Sequence, residues 1–190
     1  MDARPRSRAI SALVQHAKAV FEERTDETAL VAPISPSPPE LIQTVLDSLR
    51  LDTHDAVLDL GCGDARWLVA AALRGCTGVG VDLNEDLLRK GHQAAAEAGV
   101  SSLVQLEAKD IFDTSLAGSS VIIVYLFREA SGKLQAANGV AKMKAKLEAE
   151  AKPGTRVVSV GFQIRGWTTD STVAVGRLHA YVYQLPDRTA

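Results

Sequence analysis

Cysteine is scarce: the 190-residue chain has two, Cys62 and Cys76. That number and spacing exclude a disulfide framework and a thiolate zinc site, and they fit a reducing compartment. The histidines His16, His54, His92 and His179 are scattered without metal-ligand spacing, and no Ser-His-Asp or Cys-His arrangement is visible, so no metal dependence is expected. Excess charge of one sign is also missing, since 21 Lys and Arg face 23 Asp and Glu for a formal net charge of −2. Without a strong positive field, phosphate-backbone binding has no main attachment, and a nucleic-acid partner is not expected. No apolar run approaches the roughly 20 residues that cross a bilayer, because charged or turn residues interrupt every hydrophobic segment. A soluble protein without a membrane span follows as the expectation. Internal repeats and low-complexity tracts are absent too.

What is there has the composition of an ordinary globular protein, 46% hydrophobic and 23% charged, at a length that fits one domain and one core. The opening Met1 to Phe21 carries Arg4, Arg6, Arg8 and Lys18 against Asp2, with Ile10, Leu13, Val14, Ala17 and Phe21 at roughly helical spacing. Two readings stand: an N-terminal amphipathic helix on a cytoplasmic monomer, or a mitochondrial transit segment. Pro33, Pro36, Pro38 and Pro39 then enforce an extended strap. The boundary is placed there, with a helical extension over residues 1–32 and the main domain over residues 33–190.

Beyond the strap, Leu41, Ile42, Val45, Leu46 and Leu49 form the apolar face of a helix. From Ala56 onward short apolar runs alternate with helical patterns. Strands are predicted over residues 56–60, 78–82, 103–106, 121–125 and 156–161, with helices over 66–74, 84–98 and 131–147 between them. This alternation predicts an α/β fold, a doubly wound and mostly parallel sheet with helices on both faces. Residues 171–175 and 179–185 break the pattern and read as a terminal antiparallel hairpin, which brings the sheet to seven strands.

The chemical signal lies in Val57 to Arg66, a strand running into the glycine turn Gly61-Cys62-Gly63, which opens a helix and lets a ligand approach the backbone. Alone, such a turn has a second reading as a structural corner with no ligand. Asp59, two residues before Gly61, would repel a dinucleotide pyrophosphate yet suits the ammonium of S-adenosylmethionine (SAM). Arg66 stands where the dinucleotide fingerprint wants a third small residue. Both features favour SAM over NAD.

About twenty residues later the second strand ends in Asp82-Leu83-Asn84. Asp82 is placed to accept from ribose hydroxyls, with Asn84 beside it; the other reading makes Asp82 the N-cap of the following helix. Asp110, after the third strand, is assigned to the adenine amino group or, in the other reading, to a solvated cap. The fourth strand runs into Tyr125-Leu126-Phe127-Arg128, where the reacting groups would meet; the other reading of its aromatics, favoured by this segment alone, is core packing.

Together these segments resemble the small archaeal protein-lysine methyltransferases and the related mitochondrial lysine methyltransferases of animals. The resemblance runs from Pro33 to Pro186 and is most particular in the proline strap and in Phe162 to Trp167. It implies a class I, seven-stranded methyltransferase whose strap and glycine loop hold SAM and whose acceptor is a protein lysine. The donor site is shared by enzymes acting on small molecules or RNA, and a non-catalytic SAM-binding module is the reading from another class. Ile34 stands where the family usually has tyrosine, Ala65 replaces a third glycine, and Asp82 replaces a common glutamate. A lysine must be neutral to accept a methyl group, and deprotonating it at pH 7 costs roughly 4–5 kcal/mol. Tyr125 and Trp167, with Phe127, are accordingly assigned to desolvating and positioning the amine.

Overall fold

The computed structural model describes residues 36–125 and 133–186, with the side chains of 133–138 left out. The N-terminal helix, Ile34, Phe127 and Arg128 lie outside these residues. Helix α1 (Pro39–Ser48) starts with proline at its first position, where the missing N–H leaves no bond unmade. The parallel strands β1 (Ala56–Leu60), β2 (Thr77–Asp82), β3 (Val104–Ala108), β4 (Val121–Val124) and β5 (Arg156–Val160) alternate with α2 (Arg66–Ala72), α3 (Glu85–Glu97) and α4 (Lys133–Glu150). The chain closes with the hairpin β6 (Ser171–Val175) and β7 (Leu178–Gln184).

The seven strands lie in the order β3-β2-β1-β4-β5-β7-β6, with β7 inserted antiparallel between β5 and β6. The fold class read from the alternation is therefore the one observed, terminal hairpin included. Boundaries moved by one to three residues. Helix α2 ends at Ala72 because the chain turns at Gly75, which has φ of +93°.

The strand pleat divides the core. Val57, Ile123 and Val158 face one way, onto α1, α2 and α3. Leu58, Ile122 and Val157 face the other way, onto Met143 and Leu147 of α4. After β1 the chain builds outward through β2 to β3, then returns to place β4 on the other side of β1. This reversal opens a crevice at the carboxyl ends of β1 and β4, the place where open α/β sheets bind ligands.

Helix α2 lies so close to β2 that the strand must carry glycine. A Cβ at Gly78 would sit 2.8 Å from Leu68 Cδ2, and one at Gly80 would sit 2.6 Å from Leu68 Cδ1 and 2.9 Å from Cys62 Cβ. Leu68 is fully buried and Cys62 Cβ is fixed by the turn, so neither can swing aside. Gly80→Ala is expected to lower stability by about 1–3 kcal/mol through overpacking. Urea unfolding checks this: the midpoint should fall while the slope stays that of the wild type.

Candidate active site

The glycine turn is bolted to the neighbouring strand, because the N–H groups of Gly61 and Cys62 both donate to the Val81 carbonyl, at 2.9 and 3.0 Å. Gly61 and Gly63 have φ of +83° and +54°, the left-handed region that favours glycine. Ala65 shares that region at φ +57°, which costs an L-residue about 1–2 kcal/mol. Its buried methyl lies where a Cβ on Gly91 would come within 2.9 Å, so the third small residue of the turn serves the contact between α2 and α3. The nearest atoms to a Cβ added at Gly61 or Gly63 would be Tyr125 O and Leu87 Cδ1, each 3.9 Å away, so the floor of the cleft is bare backbone.

Asp59 enters this cleft from β1. It is 1% exposed, and its Oδ2 has no hydrogen-bond partner among the described residues. Burial, then the neighbouring charges of Asp82 and Asp64, push its carboxyl up to about 8. A buried acceptor with nothing donating to it loses solvation without recompense. A cation delivered to the cleft would restore the balance.

Asp82 rims the same cleft at the end of β2. Its Oδ2 accepts from Gly63 N at 2.9 Å and its Oδ1 from Asn84 N at 2.8 Å, and a carboxylate retains further lone pairs for hydroxyl donors. The capping alternative for Asp82 needs correction. Asn84 is the N-cap of α3, its Oδ1 accepting from Asp86 N at 3.1 Å and Leu87 N at 3.2 Å, because it is the residue one position outside the helix. Between them Leu83 is 73% exposed, the one large apolar side chain so displayed among the described residues.

The strap completes the wall through contacts that no local pattern announces. Trp67 Nε1 donates to Ser37 Oγ at 3.0 Å, and Arg66 donates to the Ser37 carbonyl at 3.1 Å while its Nε and second amino group grip the Asp64 carboxylate. Strap, turn and helix start are thereby one unit. Ser37, Asp64, Trp67 and Leu87 line the cleft without having been singled out in the sequence. Their one signal is position beside the prolines, the glycine turn or Asn84, and partners about thirty residues apart cannot be paired without the fold.

Tyr125 follows β4 directly and lines the cleft, its ring 3.5 Å from where a Cβ on Gly161 would stand. Asp110 and Trp167 are not among the residues lining the cleft. Asp110 is exposed and its Oδ1 accepts from Phe112 N at 2.7 Å, so it closes the loop after β3. Trp167 donates from Nε1 to Glu148 Oε1 at 2.9 Å and meets Tyr183 edge-on, with ring centroids 5.4 Å apart. It packs with the core on the α4 face of the sheet.

The cleft thus offers an unpartnered carboxylate suited to an ammonium, a bare glycine floor, a second carboxylate suited to a diol, and an apolar surface beside it. These fit the amino-acid, ribose and base portions of SAM. With this strand order, they define the protein as a class I SAM-dependent methyltransferase.

Residues 59–171 match the model of the ANTKMT methyltransferase domain, and the chain belongs to that family. It is 31% identical over 155 residues to a protein-lysine N-methyltransferase of Saccharolobus islandicus, covering 80% of this chain and 91% of the archaeal one. The adenine nucleotide translocase lysine N-methyltransferase of Mus musculus is 31% identical over 145 residues, a match that covers 76% of this chain and 59% of the mouse enzyme. Among solved structures, an RNA methyltransferase from Salinibacter ruber bound to S-adenosyl-L-homocysteine superposes with a TM-score of 0.72 at 30% identity, covering 82% of this chain and 96% of that one.

Proposed function

We propose that this methyltransferase acts on lysine side chains of a protein substrate, with Asp59, Gly61, Gly63 and Asp82 holding the donor and Tyr125 facing the acceptor. The observation that carries the reading is the match to the archaeal protein-lysine enzyme along 91% of that enzyme's length. The lining of the cleft supports it. The acids Asp59, Asp64 and Asp82 line the cleft against the single cation Arg66 among the described residues, a balance from which an approaching lysine gains and by which a phosphate backbone is repelled.

When bound, SAM supplies a methyl group on a sulfonium, which an amine takes up by in-line displacement. The chain's own residues do the holding: Asp59 pairs the ammonium, Asp82 accepts from the ribose hydroxyls, and Leu83 offers its apolar side chain to the base. Tyr125, at the carboxyl end of β4, narrows the cleft and removes water from the arriving amine, which favours the neutral form that reacts. Positioning of this kind supplies up to roughly 7–11 kcal/mol of a barrier.

The likeness to the Salinibacter RNA enzyme favours a second reading, methylation of RNA. Incubation with isotope-labelled SAM and, in parallel, lysine-rich proteins and structured RNA, followed by mass spectrometry, separates the two. Label on lysine is expected; label confined to RNA would sink the proposal, and SAM binding with no label anywhere would favour a non-catalytic module. In the same assay Tyr125→Ala is expected to lower turnover by about 10- to 100-fold with donor affinity nearly intact. Trp167→Ala should instead lower the melting temperature and leave turnover per folded molecule within a few-fold.

A further inference from the structure

The surroundings of Asp59 carry more than a binding contact. Among the described residues its Oδ2 is buried and unpartnered, and the charged groups that act on it are acids. Asp82 faces it from β2 and Asp64 from the start of α2, both raising the energy of its charged form. The Cys62 thiol in the turn is held neutral by burial, and Tyr125 bounds the cleft from β4. Arg66 is the one cationic side chain lining the cleft among the described residues, and it is engaged with Asp64 and the Ser37 carbonyl. Burial and like charges both disfavour the ionised form of a carboxyl in that setting.

We propose that Asp59 is protonated in the ligand-free protein at neutral pH and that the donor's ammonium displaces this proton, so that binding of the donor, and of its demethylated product, each releases one proton. The inference rests on the reading of the cleft as the donor site. The exchange balances: the neutral carboxyl gives its proton to solvent, and the ammonium, already charged, becomes its counter-ion. Donor and protons therefore compete. With the carboxyl near 8 before binding, affinity should tighten about tenfold for each unit that the pH rises through the neutral range. It should level near pH 8, where an α-amino group itself begins to lose its charge. A site built this way makes methylation sensitive to small shifts around neutrality, with no histidine involved.

Calorimetric titration of S-adenosylhomocysteine into the full chain at pH 7, in two buffers of different ionisation enthalpy, counts the protons. Nearly one released per ligand is expected; the ligand's own amine could only take protons up. Infrared spectra of the same protein should show a protonated-carboxyl band that disappears on saturation with the ligand and is missing from Asp59→Asn. Binding without proton release, or no such band in the ligand-free wild type, would overturn the inference while leaving the donor site standing. Failure of folded protein to bind either S-adenosylhomocysteine or SAM would remove the donor-site reading, and this inference with it.

Discussion

Asp59→Asn is expected to weaken SAM binding by about 100-fold or more, and at the same time to relieve the ligand-free protein of a stability loss that grows with pH. The binding effect follows from removing one member of a buried charge pair, which costs about 3–5 kcal/mol. The stability effect follows from proton linkage. The folded-state value of about 8 lies above the ordinary 3.8, so between these limits the folded chain binds one proton more than the unfolded chain. This contribution is fully present below about pH 4 and is lost as the pH rises toward 8, at about 1.4 kcal/mol per unit. Asparagine does not titrate, so the stability of the variant minus that of the wild type should grow across this window and level off above it. Chemical unfolding at pH 5, 6, 7 and 8 measures the difference, and a gap that does not widen would show that Asp59 is already ionised at pH 5.

Asp82→Ala should lose SAM binding by about 100-fold, close to 3 kcal/mol, while the protein stays folded. The carboxylate has two duties, ordering the turn by accepting from Gly63 and Asn84 and presenting lone pairs to the ligand, and alanine ends both. Hydrogen bonds to charged groups contribute about 1.5–3 kcal/mol each, so the loss should be large. Asp82→Glu tests the assignment from the other side, because glutamate is common at this position in the family that the chain resembles and should restore much of the affinity. NAD, titrated as a control, should bind none of these proteins, since Asp59 stands against its pyrophosphate. Calorimetry giving equal SAM affinity for wild type and Asp82→Ala would place the ribose elsewhere.

The parts of the site that were legible in the sequence are those whose meaning is local. A glycine needed at positive φ, an acid at a strand end, and the distance from Asp59 to Asp82 along one strand-helix-strand unit are all written in consecutive residues. Asp110 and Trp167 illustrate the limit. Both stand where the family pattern suggests a ligand contact, yet Asp110 is engaged by the backbone two residues ahead, and Trp167 finds Glu148 and Tyr183 on the far face of the sheet. The choice between Asp82 and Asn84 as helix cap turned on a helix boundary, and patterns of apolar residues fix boundaries only loosely.

By itself the sequence determined the fold class, the sheet with its terminal hairpin, and the glycine turn with its two acids, because hydrophobic periodicity and turn chemistry act between near neighbours. The tertiary structure alone decided that Ser37 is gripped by Trp67 and Arg66, that Gly80 makes room for Leu68, and that Asp59 is buried beside like charges with its Oδ2 unpartnered among the described residues. These depend on which groups lie within a few ångströms after the chain has closed on itself. Burial and mutual charge, the forces that set the chemistry of Asp59, arise only from that closure.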